Sequence, residues 1–216
     1  MFEARKWYDN IRIERTVESL NKKGFDAVLV GNIDEAVNKV MGMVPENALV
    51  GLGGSVTLRE MNLPNLLRER GNQVADHWEA RKQKTSPDEV MAIRRQHLNS
   101  DVFITSTNAL TEGGELVNID GSGQRVAAMI FGPKKVIIIT GVNKIVKDLE
   151  EAIWRARNVA SPINAKRLNL KTPCVYDGLC LDCETDERIC NVTTIIHKKL
   201  HNTDTTVILV NQELGY

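Results

Sequence analysis

The sequence has no excess of charge of either sign, because its 216 residues carry 28 Lys and Arg against 28 Asp and Glu. Proteins that bind nucleic acid usually carry a basic excess, so this composition argues against a nucleic-acid partner. The longest apolar runs, VIIIT and VILV, fall far short of the roughly 20 residues that a membrane helix needs. The start of the chain, MFEARKWYDN, is charged and predicts no signal peptide. We therefore expect a cytoplasmic protein without a membrane segment.

Several motifs that would identify an enzyme are missing from the sequence. It has no G-x-S-x-G elbow, no H-E-x-x-H zinc helix and no recognisable pair of nucleophile and base. It also has no internal repeat, no low-complexity tract and no linker, so we predict one domain over residues 1–216 with a cysteine-rich segment at 174–190. Whether the chain is an enzyme stays open at this point, as does its oligomeric state, for which a homo-oligomer is one alternative.

Strands alternate with helices through most of the chain. Segments such as DAVLV, KKVIIITG and TTVILVNQ have the length of a strand and are continuously apolar, which is typical of strands buried on both faces. Helical segments lie between them, for example the one that Ser86 caps and Pro87 begins. The pattern predicts an α/β protein with a mostly parallel sheet and helices on both faces.

A glycine-rich turn, VGLGGSVTLREM, joins a buried strand to a helix. Gly53 and Gly54 would let backbone N–H groups approach an anion, while Ser55 and Thr57 add hydroxyl donors. The spacing matches neither the dinucleotide fingerprint nor the P-loop, and a tight turn capped by Ser55 is the alternative interpretation. We favour ligand binding, because sheets of this type bind ligands beyond the carboxyl ends of their strands.

A second polar loop extends from Thr105 to Ile145. Asn108 follows an apolar strand, and Arg125 has the planar fork that binds a carboxylate or phosphate with two hydrogen bonds. The alternative is a pair of hairpin turns, in which Asn and Asp are favoured for their geometry. The candidate ligand-binding residues in this loop are Asn108, Glu112, Asn118, Asp120 and Arg125.

Four stretches of the chain, GLGGSVTLREM, DHWEA, the segment from TSTNALTEGG to GVNKIV, and VILVNQELGY, together resemble the LUD domain, the lactate-utilisation family. The resemblance covers most of the chain. It implies a fold similar to that of the sugar-phosphate isomerases and coenzyme A transferases, with Gly53, Gly54 and Ser55 facing Asn108 across one crevice. It also implies a role in the oxidation of lactate, a 2-hydroxy acid, beside iron–sulfur or other oxidoreductase partner subunits, with a small anionic metabolite as ligand.

All four cysteines, Cys174, Cys180, Cys183 and Cys190, lie in the segment 174–190 with the spacing C-x5-C-x2-C-x6-C. In a reducing compartment such a cluster suggests metal or redox chemistry more than disulfides. Thiolates select zinc or an iron–sulfur cluster, and the spacing does not decide between them. The alternatives are small apolar side chains at a sheet edge, or a redox pair of Cys180 and Cys183. The bacterial ferredoxin run C-x2-C-x2-C-x3-C-P is missing, unlike in some members of the family.

The histidines are weaker candidates. His77 lies at a predicted strand end beside Trp78, where it would serve as a general base or a ligand contact, or as a hydrogen-bonded boundary residue. His97, His197 and His201 have no visible partner and are assigned nothing. Two hypotheses remain: a LUD domain that acts in or beside 2-hydroxy-acid oxidation, and a non-catalytic binding or scaffold subunit whose cysteine segment is a structural metal or docking element.

Overall fold

The computed structural model describes residues 2–216, apart from the side chains of Phe2 and Lys6. The strands are β1 (Asp26–Val30), β2 (Leu49–Leu52), β3 (Gln73–Ala75), β4 (Val102–Thr105), β5 (Ala109–Thr111), β6 (Leu116–Asp120), β7 (Lys135–Gly141), β8 (Ile145–Val146), β9 (Val192–Ile196) and β10 (Asp204–Val210). The helices are α1 (Phe2–Lys22), α2 (Ile33–Met43), α3 (Val56–Glu60), α4 (Leu63–Glu69), α5 (His77–Lys82), α6 (Pro87–Gln96), α7 (Gln124–Ile130), α8 (Leu149–Arg155), α9 (Ser161–Arg167) and α10 (Cys174–Asp177).

The main sheet has six parallel strands in the order β1-β10-β7-β4-β2-β3. Its central strand β7 shows why the apolar runs are continuous. Ile137 and Ile139 pack towards α2, α3 and α4, whereas Val136 and Ile138 pack towards α1 and α7. Alternate side chains thus enter two separate cores. The prediction of an α/β protein with a mostly parallel sheet and helices on both faces is confirmed.

A second, four-stranded sheet in the order β8-β5-β6-β9 was not foreseen from the sequence. Strand β6 pairs antiparallel with both β5 and β9, and β5 pairs parallel with β8. Apolar side chains of this sheet and of α8 form a third core, which contains Ala109, Val117, Ile119, Val146, Ala152 and Ala156. Two of its strands, β5 and β8, are only three and two residues long, which is too short for the sequence to indicate them as strands.

The helix ends follow the local sequence. Ser86 accepts a hydrogen bond from the backbone of Glu89, and the Glu89 side chain accepts one from the backbone of Ser86, which confirms the predicted start of α6. Helices α3 and α4 are separate, because Asn62 between them takes a left-handed conformation with φ 50° and Pro64 sits in the first turn of α4. Within residues 2–216, no helix combines the length and the apolar character that crossing a membrane requires.

Candidate functional site

The carboxyl ends of four adjacent strands, β2, β4, β7 and β10, meet at one edge of the main sheet. The segments that follow these strands line a crevice of about 360 Å³. Gly54 and Ser55 follow β2, Ser106 to Asn108 follow β4, Lys144 follows β7, and Gly215 and Tyr216 follow β10. Residues of α5, α6, α7, α9 and the cysteine-rich segment complete the walls. This is the position at which parallel α/β sheets bind their ligands.

The two glycines of the turn after β2 allow other side chains to come close. A Cβ at Gly54 would lie 2.7 Å from Trp78 Nε1 and 3.4 Å from His77 Nε2, so only Gly fits there. A Cβ at Gly53 would collide with the side chain of Thr105, so Gly53 lies behind the crevice wall. Ser55 caps α3 through a 3.5 Å hydrogen bond from Leu58 N. The glycines are therefore explained by contact with α5 and β4.

Trp78 forms a wall of the crevice between two arginines. The guanidinium carbon of Arg59 lies 5.1 Å from the centre of the indole ring, and that of Arg167 lies 4.2 Å from it, both in cation–π geometry. Arg59 also donates to the buried carboxylate of Asp76, as does Arg68. Burial opposes ionisation of Asp76, but these hydrogen bonds and charges outweigh it and lower its pKa to about 2. The wall thus rests on a carboxylate that is ionised at physiological pH.

His77, a predicted ligand residue, lines the crevice and is 3% exposed. Burial, together with the nearby His97, Arg94 and Arg81, lowers its pKa to about 3, so the ring is neutral at physiological pH. Its Nδ1 has no hydrogen-bond partner among the described residues. The ring packs edge-on against His97, with 5.5 Å between ring centres. His77 is thus a neutral donor or acceptor with one ring nitrogen unused.

Arg125 holds the second loop together from inside. Its Nη1 donates to Ser106 O at 3.2 Å and to Asn118 Oδ1 at 2.6 Å, and its Nη2 donates to Asn108 Oδ1 at 3.1 Å and to Ile119 O at 2.8 Å. Arg125 is 8% exposed, and Asn118 is fully buried beside it. The guanidinium reaches the crevice, but its terminal nitrogens are engaged with protein oxygens.

The two acidic candidates of the second loop lie in different places. Asp120 lines the crevice, and its Oδ1 accepts hydrogen bonds from Ser122 N at 3.0 Å and Gly123 N at 2.9 Å, which closes the turn. The structure does not bring Glu112 to the crevice. Its carboxylate pairs with Arg12 at 2.6 Å and Arg15 at 3.3 Å on α1.

Lys144, which the sequence did not suggest, lies in the crevice after β7 and is 3% exposed. Its Nζ contacts Thr57 Oγ1 at 3.2 Å and Ser106 Oγ at 3.0 Å. Burial is the main reason that the pKa of Lys144 is lowered to about 7. The charges of Arg155 and Arg125 lower it as well, whereas Glu60 raises it. Thr57, a predicted ligand residue, therefore positions this amine.

The four cysteines of segment 174–190 are free thiols of intermediate exposure. Burial raises the pKa of Cys190, while the charge of Arg188 opposes this effect. The other three thiols raise the pKa of Cys190 further, which shows that all four cysteines lie close together. Arg188 also donates to the carbonyls of Cys183 and Cys190. Across residues 2–216, no group of three or more His, Cys, Asp or Glu side chains is arranged to hold a metal ion. Zinc or an iron–sulfur cluster at these four thiols stays a prediction.

Comparison with known families decides the identity of the fold. The sequence pattern of the LUD domain matches residues 13–210, which is most of the chain. The chain belongs to the LUD domain family. No curated protein sequence matches this LUD domain.

Two solved structures are similar to this LUD domain. The crystal structure of a DUF162 family protein from Deinococcus radiodurans has a TM-score of 0.52 and 10% sequence identity, and the match covers 94% of this chain and 97% of that chain. A ribose 5-phosphate isomerase from Plasmodium falciparum has a TM-score of 0.33 and 20% identity, over 53% of this chain and 52% of that chain. The first similarity shows a fold shared over nearly the whole LUD domain.

The lining of the crevice in this LUD domain is strongly basic. Its one acidic side chain is Asp120, whereas its basic side chains are Arg81, Arg94, Arg125, Lys144, Arg167 and Arg188. Among the described residues, four of these have no carboxylate within salt-bridge distance, namely Arg81, Arg94, Lys144 and Arg167. Because these four residues come from separate parts of the sequence, the positive charge of the crevice can be recognised only from the structure. The one local signal for Lys144 is its position just after the most apolar strand.

Proposed function

We propose that this LUD domain binds a small anionic metabolite in the crevice and acts in or beside the oxidation of a 2-hydroxy acid such as lactate. The observation that carries the proposal is the charge of the lining, in which four basic side chains lack a carboxylate partner among the described residues. Unpaired cations in a concave site attract anions and favour their binding. The volume of about 360 Å³ suits a small molecule.

The basic side chains of the crevice have different roles in the proposed binding. Arg81 and Arg94 from α5 and α6 supply fixed positive charge, and Lys144 supplies an amine at the floor. Arg94 Nε is buried without a hydrogen-bond partner among the described residues, which leaves a donor for a ligand carboxylate or phosphate. Asn108 accepts from Arg125 with its Oδ1, so its amide nitrogen is the group left for a ligand. The earlier hypothesis that Arg125 clamps the ligand itself stays a prediction.

The test is calorimetric titration of the domain with lactate and, separately, with inorganic phosphate. Replacing Arg94 with Gln should weaken binding about tenfold or more, since a hydrogen bond to a charged group contributes roughly 1.5–3 kcal/mol. Arg95→Gln is the matched control, because Arg95 neighbours Arg94 on α6 but is exposed and outside the lining. Equal affinity in both variants, or no binding of either anion by the unaltered chain, would contradict the proposal.

A second candidate function is a binding or scaffold subunit that turns nothing over. The observation that favours it is the contact between the two regions, since Arg188 and Ile189 of the cysteine-rich segment line the crevice. An iron–sulfur or oxidoreductase partner that docks on this segment would therefore also contact the ligand wall. Lactate consumption assayed with an artificial electron acceptor separates the candidates: binding without turnover by the chain alone favours the scaffold, and turnover favours the enzyme.

A further inference from the structure

The position of Lys144 is unusual for a lysine. It lies in a short 3-10 turn, Val142–Lys144, that follows the central strand β7, and its amine is directed into the crevice. The amine contacts two hydroxyl oxygens, those of Thr57 and Ser106, and no carboxylate lies within salt-bridge distance among the described residues. Buried lysines normally require a paired anion. This one has only neutral partners.

The charged groups around Lys144 work against its proton. Arg155 on α8 and Arg125 on α7 repel the ammonium form, while Glu60 on α3 favours it. A lysine that only anchors an anion needs its proton, and burial beside two arginines makes that proton easier to lose. The same surroundings make a lysine a good nucleophile, because the neutral amine carries the reactive lone pair.

We propose that Lys144 forms an imine with a carbonyl group on an anion bound in the crevice. The proposal rests on the anion binding proposed above and names the class of anion that reacts: a carboxylate or phosphate that also carries an aldehyde or ketone, such as the 2-oxo acid that oxidation of a 2-hydroxy acid yields. In this arrangement Arg81 and Arg94 hold the anionic end of the substrate. Lys144, with Thr57 and Ser106 beside it, meets the uncharged carbonyl end.

The reaction balances without any further reagent. The Nζ lone pair attacks the carbonyl carbon, a C–N bond forms, and the electrons of the carbonyl π bond move to oxygen, which takes up a proton. The nitrogen loses its protons as the carbinolamine expels water, which leaves a C=N bond. The net change is amine plus carbonyl to imine plus water. The hydroxyls of Thr57 and Ser106, at 3.2 and 3.0 Å from Nζ, are placed to relay these protons.

The test is borohydride trapping followed by peptide mapping, with glyoxylate, pyruvate and glyceraldehyde 3-phosphate as probes. We expect one reduced adduct at Lys144 with at least one probe, and little at exposed Lys166 on α9. At pH 7 the pKa of about 7, against 10.5 for a free lysine, gives Lys144 roughly a thousand-fold more neutral amine. Labelling of Lys144 should therefore reach its plateau near pH 8, whereas labelling of Lys166 should still rise.

The variants Lys144→Arg and Lys166→Arg complete the experiment. The first should abolish the mapped adduct and the second should leave it unchanged. Mapping on the unaltered chain needs no variant, so a folding defect in Lys144→Arg would not obscure the result. Adducts spread over exposed lysines with none at Lys144, for all three probes, would overturn the imine. If lactate or phosphate still binds by calorimetry in that case, the proposed anion site stands and only the covalent step fails.

Discussion

The crevice and the cysteine-rich segment 174–190 differ in how their reactive groups are held. In the crevice, Arg125 is fixed by four hydrogen bonds to protein oxygens, and behind the Trp78 wall Asp76 is fixed by two arginines. In the segment, the four thiols are half-exposed, and large side chains such as Leu179 and Leu181 are exposed to solvent. The crevice holds its charged groups before any ligand arrives, whereas in the segment Arg188 holds the backbone carbonyls of Cys183 and Cys190 and the thiols themselves stay half-exposed.

This difference indicates two kinds of binding. A preorganised site loses little entropy when it binds, so its affinity depends on individual charged contacts. A loosely held segment gains order when it binds, so its affinity includes the free energy of folding the segment. Changes in the crevice should therefore alter global stability or ligand affinity, whereas changes in the segment should act locally.

The largest effect is expected from Arg125→Lys. A lysine has three N–H donors for these four oxygens and no planar fork, so at least one buried acceptor loses its donor and the others are held in poorer geometry, and the free energy of unfolding should fall by about 3 kcal/mol. Urea denaturation measures the change. The control Arg95→Lys, at an exposed position of α6, should stay within about 0.5 kcal/mol of the unaltered chain. Unchanged stability with a tenfold loss of lactate affinity would instead assign Arg125 to the ligand.

The second prediction concerns acid. The pKa of Asp76 is about 2 in the folded chain and 3.8 without its partners, so its contribution to stability is present above pH 3.8 and is lost as the pH falls towards 2. Asp76→Asn should therefore lower the free energy of unfolding by about 2 kcal/mol at pH 7, and the difference should shrink towards pH 2. Denaturation at several pH values measures it. Asp186→Asn, in the exposed segment, should not lower the free energy of unfolding to a comparable extent. Equal losses in both variants would show that the two regions do not differ in how firmly their carboxylates are held.

A smaller effect is expected at Gly54. In Gly54→Ala the new methyl group would lie 2.7 Å from Trp78 Nε1, which forces the indole from its place and should cost about 1–3 kcal/mol. Lactate affinity should fall with it, because Trp78 and Arg167 form the wall. The control Gly42→Ala places a methyl group in open space on α2 and should stabilise the chain by about 0.5–1 kcal/mol. Full affinity in Gly54→Ala would show that the wall can shift without consequence.

The sequence predicts the two regions unequally well, for physical reasons. The main sheet was predictable because Val136 to Ile139 are buried on both faces, and such burial demands apolar residues at every position. The small sheet was not, because two of its strands are only two and three residues long and the pairing of β6 with β9 joins segments that are far apart in the sequence. Lys144 was not predicted, since its environment is made by Thr57 and Ser106, which are distant in sequence. Glu112 was assigned to the crevice for the same reason, because its pairing with α1 is non-local.

The smallest effect on global stability is expected from the cysteines. If zinc or an iron–sulfur cluster binds Cys174, Cys180, Cys183 and Cys190, the segment must draw its thiols together, and that ordering is limited to residues 174–190. Chelation should then speed amide hydrogen exchange in the segment while the exchange of β7 and β10 stays unchanged, because binding energy at such sites is local folding energy.

The decisive measurement is the metal and sulfide content of protein prepared without oxygen. A bound ion predicts about one zinc per chain, or iron with matching sulfide, and Cys180→Ser should lower that content sharply, because removing one thiolate leaves an incomplete ligand set. Thr185→Ser, at an exposed position of the same segment, is the matched control and should retain the metal. Protein that carries neither zinc nor iron, and whose segment exchanges equally fast with and without chelator, would leave the thiols as a redox pair or as apolar filler. The crevice would then be the region that binds a ligand, and the cysteine-rich segment would differ from it only in how firmly its side chains are held.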